Sequence, residues 1–272
     1  MVAPGRRRYS HDTMATISVV IPSRNDAQML AACLAALGRQ SRAPDEIVVV
    51  DNASTDNTAD VCSAAGVRYL YLEVPGITGA TAAGLDAATG DILGRLDADS
   101  VPPPDWLERV EELLASTGPL TAVTGPGDFY GANRIICWVA RNIYIGGYVR
   151  VVGLLLGHPP LFGSNFAMPA AMWAALRGRV HRNQPELHDD LELSYQIRPE
   201  MSVIYDPSLR VGVSARPFYS WRGLGSRVKR AYQTFDVDFR AEPPLRRLRE
   251  RRRLRAGRGL TPPPHTAPRG PG

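Results

Sequence analysis

The chain has 272 residues, 44% hydrophobic and 22% charged, which gives room for one large α/β domain or two small ones. Its net charge of +5 is uneven: residues 1–13 carry +2, residues 245–272 hold nine arginines against Glu250, and residues 14–244 are net −5. An acidic body speaks against a nucleic-acid-binding core, and Cys33, Cys62 and Cys137, without any C-x-x-C spacing, speak against a disulfide framework or a zinc site.

Residues 1–13 read as a disordered basic leader without the apolar segment of a signal peptide. Ile17-Ser18-Val19-Val20-Ile21 is a near-continuous β-branched run, the pattern of a buried parallel strand, ended by Pro22 to Asp26. Asp26 is a candidate N-cap for a helix whose apolar residues Leu30, Cys33, Leu34 and Leu37 recur at helical spacing. A second strand, Glu46 to Val50, runs into the Asx-rich turn Asp51 to Thr58. A short helix with Val61 and Cys62, a strand over 67–72 and a small-residue helix over 78–88 follow. The next strand, 90–94, opens into Arg95-Leu96-Asp97-Ala98-Asp99, and Pro102-Pro103-Pro104 then halts any ladder. Asp97 and Asp99, two residues apart, are expected on one face at the carboxyl edge of the sheet, where two hard oxygen donors suit Mg²⁺ or Mn²⁺ beside a phosphate. This β-α alternation predicts an α/β fold with a mostly parallel, Rossmann-like sheet flanked by helices.

Beyond it, Trp106, Leu107, Val110, Leu113 and Leu114 mark a helix and 120–124 a strand. A helix is expected over 134–150, a strand over 161–168 with Pro169 starting a helix, and a further helix opened by the acidic run Asp189-Asp190-Leu191-Glu192. Residues 201–205 and 209–214 are expected to pair with each other. The apolar stretch 143–161 is broken by Arg150, glycines and Pro159-Pro160, short of the ~20 apolar residues a spanning helix needs. Residues 217–244 read as an aromatic and basic helical extension, and 245–272 as a disordered Arg/Pro-rich tail. A charged tail of this kind admits three readings: a solvated tail, docking on an anionic membrane surface, or contact with nucleic acid. The neighbouring apolar and aromatic segments favour the membrane surface.

Four motifs stand in order: Val19 to Asp26, Val50 to Asp56, Leu96-Asp97-Ala98-Asp99, and Asp189-Asp190-Leu191-Glu192-Leu193. Over residues 15–215 the set resembles the inverting glycosyltransferases of family 2, which have the GT-A fold. The resemblance implies a nucleotide-sugar-binding half over 14–125 and an acceptor-binding, catalytic half over 126–216. It places Pro22, Arg24, Asp26, Asp51 and Asp97 at the nucleotide sugar, which would be UDP-, GDP- or dTDP-linked. Asp99, with Asp97, would hold Mn²⁺ or Mg²⁺, and Asp190 would be the catalytic base. Gly163, Ser164, Asn165, Asp189 and Glu192 fall on the side of the acceptor, a glycan or glycolipid. Crowding by Asp189 and Glu192 is expected to raise the Asp190 pKa. The resemblance also implies a cytoplasmic enzyme, peripheral at the inner face of a membrane, with no nucleic-acid partner. One departure stands out: where family members often carry an Arg-Asn pair before the central strand, this chain has Thr81 and Ala82. That leaves open a nucleotide-sugar-binding protein without turnover, whose basic tail does the interaction work. The other alternative, a nucleotidyltransferase of similar fold, needs a Gly-rich, Arg/Lys-bearing loop after the first strand, which this sequence does not have.

Overall fold

The structure is a computed structural model that describes residues 14–140, 146–216 and 221–257. Its first half builds a parallel sheet from the runs with the strongest apolar patterning. Strand β1 (Ile17–Ser23) lies between β2 (Glu46–Asn52) and β4 (Ile92–Arg95), and β3 (Arg68–Leu72) extends the sheet beyond β2. All seven residues of β1 are buried, because helices cover both faces. Ile17, Val19 and Ile21 point to α1 (Ala27–Leu37) and α4 (Trp106–Ala115), meeting Leu30, Cys33, Leu37, Trp106 and Val110. Val20, with Val48 and Val50 of β2, faces α3 (Ile77–Ala87), where Ala80, Ala82 and Leu85 pack. A Cβ at Gly84 of α3 would stand 2.3 Å from Val20 Cγ1 and 2.8 Å from Val50 Cγ2, so the small residues of this helix let its backbone lie directly on the sheet. Helix α2 (Thr58–Ala65) ends on Gly66 in the left-handed conformation, the usual helix stop.

The second half completes the same sheet. Strand β8 (Phe166–Pro169) runs antiparallel between β4 and β6 (Thr121–Thr124), and β9 (Ser202–Tyr205) adds parallel to β6, giving the order β3-β2-β1-β4-β8-β6-β9. Helices α7 (Ala170–Leu176) and α8 (Asp189–Gln196) cover its α3 face through Met172, Trp173, Leu176 and Leu193.

Several expectations change. Residues 201–205 and 209–214 do not pair with each other: β9 joins the large sheet, and β10 (Val211–Ser214) joins a small one between β5 (Ser100–Val101) and β7 (Gly127–Tyr130). The prolines at 102–104 therefore end a ladder that has already begun at Ser100. The strand expected over 161–168 is a turn closed by the Asn165 N–H donating to Phe162 O (2.7 Å), and only its end is β8. The helix expected over 134–150 is α5 (Arg134–Val139) and α6 (Gly146–Leu156), with 141–145 outside the described residues.

The largest difference is the tail. Helix α9 (Trp221–Ala241) is followed at Pro244 by α10 (Pro244–Gly257), which is docked rather than disordered. Arg247 and Arg251, four apart and on one face, are 2% and 5% exposed. Arg247 donates to the carbonyls of Tyr195 and Ile197, and Arg251 to those of Ile197, Arg198 and Met201, which follow the last turn of α8. Carbonyls left over at a helix C-terminus attract cations, and here two arginines satisfy them from another helix. Residues 217–220 and 258–272, and the basic leader 1–13, lie outside the described residues.

Candidate active site

The carboxyl ends of β1, β2 and β4 open side by side, and the loops leaving them form one rim. The first two loops are interlocked. Asn25 N–H donates to Ser54 Oγ (2.9 Å), and Asn25 Oδ1 accepts from Thr55 N (2.7 Å). Both loops hold a non-glycine residue at positive φ, Asn25 at 52° and Ala53 at 58°. Such conformations cost energy for residues with a Cβ and persist where surrounding bonds fix them. Asp51, at the end of β2, is buried and accepts from Tyr69 Oη and Ser54 N, both at 2.8 Å. Burial first, and then the Asp51 carboxylate, push the Tyr69 phenol up to about 12. Pro22 belongs to β1 itself, in register with Val50, and Arg24 is exposed just beyond it.

Asp26 precedes α1 in the cap position but does not cap it. Asp56 from the neighbouring loop accepts the Ala27 N–H (2.9 Å) instead, and Asp26 makes a two-pronged ion pair with Arg216 at 2.8 and 2.6 Å. Arg216 follows β10 and also reaches Asp99 Oδ2 at 3.5 Å. It draws together two carboxylates 73 positions apart in sequence.

Asp97 and Asp99 do not share a strand face as expected, because β4 ends at Arg95 and a turn follows. Ser100 N donates to Asp97 O (3.0 Å) and Asp97 N to Ser100 Oγ (3.1 Å). The turn gives the two acids different surroundings. Asp97 Oδ1 stands 2.6 Å from Arg95 Nη1, and Asp97 Oδ2 accepts from Ser164 Oγ. Asp99 meets Arg216, and its carbonyl accepts from Tyr130 Oη (2.8 Å). Mg²⁺ and Mn²⁺ are commonly held by one or two carboxylates together with substrate phosphates, and Asp99 fits that use. Asp97, with an oxygen on Arg95 and another on Ser164, is already committed to holding the turn. Among the described residues, the clusters of ligand atoms close enough to share an ion are His181–Glu192–Asp238 and His188–Asp189–Asp190; neither contains Asp97 or Asp99.

Arg95 is the hinge pin of the site. It is 1% exposed and bridges Asp97 to Asp189 Oδ2 (2.6 Å). Burial disfavours its charge, but Asp189, Asp97 and Asp190 more than offset that and keep its pKa raised. Asp189 also accepts from Thr81 Oγ1 (2.8 Å), so the position that departs from the family pattern ties α3 to α8. Asp190, next in sequence, points elsewhere. Its Oδ2 accepts the Gly163 N–H (2.9 Å), and His188 Nδ1 lies 2.6 Å from its Oδ1. Glycine at 163 lets the chain lie against both groups: a Cβ there would stand 2.7 Å from Arg95 Nη1 and 3.1 Å from Asp190 Oδ2. The expected rise in the Asp190 pKa does not occur. Burial does push it up, but His188, the Gly163 N–H and Arg95 outweigh burial and hold it at about 2.

The remaining candidates divide. Ser164, itself buried, bonds Asp97 at the turn, and Asn165 is fully buried, its Oδ1 accepting from Trp106 Nε1 (2.9 Å) and its Nδ2 donating to Leu209 O (2.6 Å). Glu192, also fully buried, turns away from Asp190 to His181, Gln196 and Asp238. Burial and then Glu192 push the Asp238 carboxyl up to about 9. Arg95, His188 and Arg216 are the residues that sequence reasoning missed. Arg95 had a signal, since it lies two positions before Asp97 at the end of a buried strand. Arg216 had none.

With this geometry in place, comparison with known proteins is direct. The glycosyl transferase family 2 profile matches residues 18–168, more than half of the chain and all three β-strand loops of the rim. A relative, the glycosyltransferase AglE of Haloferax volcanii, is 33% identical over 114 residues, 39% of this chain and 38% of that protein. The chain spans about a third of the length of the curated relatives it matches. Among solved structures, glucosyl-3-phosphoglycerate synthase from Mycobacterium tuberculosis, in complex with Mn²⁺, UDP and glucosyl-3-phosphoglycerate, superposes with a TM-score of 0.59. It is 21% identical, with 82% of this chain and 80% of that one covered. The mannosyltransferase PcManGT from Pyrobaculum calidifontis, in complex with GDP-Man and Mn²⁺, gives 0.55 at 18% identity over 92% and 78%. These likenesses establish the GT-A fold. With the profile match across the rim, they make the chain a member of glycosyl transferase family 2.

Proposed function

We propose that the protein is a metal-dependent inverting glycosyltransferase that moves a sugar from a nucleotide diphosphate sugar to an acceptor hydroxyl. The observation that carries this reading is Asp190. It is a buried carboxylate, held ionised by His188, Gly163 N–H and Arg95, one residue from the Arg95 bridge to the Asp97–Asp99 turn. Asp190 takes the proton of the acceptor hydroxyl as that oxygen attacks the anomeric carbon. The bond from that carbon to the diphosphate oxygen breaks, and the configuration inverts. Asp51 and the loop carrying Arg24 and Asp26 receive the nucleoside, and Gly163 and Ser164 border the acceptor. A divalent ion at Asp99 would neutralise the departing diphosphate. Mn²⁺ and the nucleotides UDP and GDP-Man, bound by structural neighbours, support the choice of donor class. Asp190→Asn tests the reading. The rate should fall by about 10² to 10⁴ while nucleotide-sugar binding with Mn²⁺ stays within a few-fold. Near-normal turnover would remove Asp190 from the chemistry.

A peripheral membrane position, and with it a lipid-linked acceptor, has a surface to rest on. No helix among the described residues is long and apolar enough to cross a membrane. Exposed Val151 and Leu154 lie on α6, against which α10 packs, and exposed Ile135 and Trp138 on α5; Arg246, Arg249, Arg252 and Arg253 of α10 are exposed. Apolar insertion beside a basic face is how peripheral proteins hold anionic bilayers. Co-sedimentation with phosphatidylglycerol vesicles should weaken in a Trp138→Ser/Leu154→Ser variant and as salt rises. Equal sedimentation of variant and parent removes the membrane from the reading.

A further inference from the structure

Glu192 and Asp238 present an electrostatic problem that the donor cleft does not explain. Glu192 is on α8 and Asp238 on α9; they are 0% and 1% exposed, and their carboxyl groups face each other. Two carboxyl groups in contact inside a protein either share a proton, as the Asp238 carboxyl pushed up to about 9 does with Glu192, or take a counter-charge in its place. No arginine or lysine among the described residues forms an ion pair with either. Their nearest basic partner is His181, from the segment between α7 and α8. Its Nδ1 lies 2.9 Å from Glu192 Oε1 and 4.0 Å from Asp238 Oδ1. Gln196, one turn beyond Glu192, donates from its amide to both Glu192 Oε1 (3.1 Å) and Asp238 Oδ1 (3.3 Å). The other two oxygens, Glu192 Oε2 and Asp238 Oδ2, are buried with no donor among the described residues other than the proton the two acids share. A metal ion binds such a pair by taking the place of that proton.

We infer that His181, Glu192 and Asp238 form a binding site for a divalent transition ion of the Zn²⁺ class, separate from the donor cleft. One ligand atom from each residue lies within 4.8 Å of the others. Ligand atoms around tetrahedral Zn²⁺, with its bonds of ~2.0–2.1 Å, stand roughly 3.3 Å apart, and the observed 2.9 and 4.0 Å bracket that spacing. The charges balance once the shared proton is released to solvent: two carboxylates and a neutral imidazole cancel a doubly charged ion. An imidazole with two carboxylates selects a borderline ion such as Zn²⁺ over Ca²⁺ or Mg²⁺. Gln196 orients the two acids from behind, the usual service of a group hydrogen-bonded to metal ligands. His181 also lines a cleft of about 580 Å³, together with Arg177, Val180 and Gln184. The His181 side chain, 32% exposed, is the solvent-side ligand. The ion would fasten α9 to α8, the helix that carries Asp190, beside the bond in which His188 N–H donates to Thr234 Oγ1 on α9 (2.9 Å).

The test uses the full chain stripped with a chelator and titrated with ZnCl₂, without nucleotide. The wild type should bind one more equivalent of Zn²⁺ than His181→Ala, by calorimetry and by metal analysis after gel filtration. That equivalent should raise its melting temperature by roughly 5 °C at saturation. Asp238→Asn, which keeps the shape of the site, should lose the same equivalent. Equal stoichiometry and an equal melting shift in wild type and His181→Ala would overturn the inference. So would an equivalent lost in Asp190→Asn but kept in both other variants, since that places the ion at the His188 cluster.

Discussion

Two arginines each bridge a pair of aspartates at this site, and they are built in opposite ways. Arg95 joins Asp97 to Asp189 with its own side chain 1% exposed and Asp189 at 7%. Arg216 joins Asp26 to Asp99 with its side chain 44% exposed. The chemistry is the same, but the surroundings set its worth. A buried pair is desolvated, so removing one partner strands a charge with nowhere to go. An exposed pair is solvated and screened in either state. Arg95 is therefore scaffold, holding the Asp97 turn, α8 and α3 in one register. Arg216 is a contact a ligand can displace, and it sits on the two carboxylates assigned to the donor and its ion.

The largest effect should come from the buried bridge. Arg95→Met keeps length and apolar volume but leaves Asp189 with Thr81 and, 3.9 Å away, His188, and the cost should be about 3–5 kcal/mol of unfolding free energy. Urea denaturation measures it. A loss below about 1 kcal/mol would mean that Arg95 is no more structural than Arg216, and the contrast between the two would disappear.

A second effect concerns what Arg95 and His188 do together for Asp190. The folded pKa of about 2 lies below the ordinary 3.8, so this carboxylate stabilises the fold above pH 3.8, and that contribution is lost as pH falls toward 2. His188 leads the influences that lower it, and its side chain is 26% exposed. In His188→Gln the Asp190 pKa should rise toward the ordinary carboxylate range. The acid limb of the kcat/KM profile should then move to higher pH, with the rate on the plateau affected less. An unmoved limb would leave Arg95 and Gly163 as the groups that set the base.

How far the sequence foretold this arrangement follows from the size of each signal. Strands β1 and β2 and helices α1 and α4 were legible because each repeats its apolar pattern over enough residues to fix its type. Strands β5 and β7, of two and four residues, carry no period, so the small sheet that brings Arg216 to Asp99 was invisible. The four acidic motifs located the site, but not which oxygen faces which neighbour. Asp189 and Asp190, adjacent in sequence, point to different partners because successive helix positions diverge by about 100°. Helix α10 was misread for a physical reason. Dense arginine normally signals solvent, and nothing in the sequence marks Arg247 and Arg251 as the two that meet α8 carbonyls.

The exposed bridge should give the smallest stability change and the more informative binding change. Arg216→Gln removes an ion pair that is open to water, so unfolding free energy should fall by about 1 kcal/mol or less. The same substitution lifts a positive charge from beside Asp99, 3.5 Å away. A unit charge near 4 Å is worth ~1 kcal/mol in water-like surroundings, and the effect on a divalent ion is no smaller. Mn²⁺ without nucleotide should therefore bind about fivefold tighter or better in Arg216→Gln, read by electron paramagnetic resonance of free Mn²⁺. Asp99→Ala should erase that gain when combined with it, because the ion then has no carboxylate to profit from the vacated charge. If Arg216→Gln leaves Mn²⁺ affinity unchanged, the guanidinium and the ion do not compete for Asp99. Arg216 then serves only to tie Asp26 to the end of β10, and the two arginines differ in exposure but not in role.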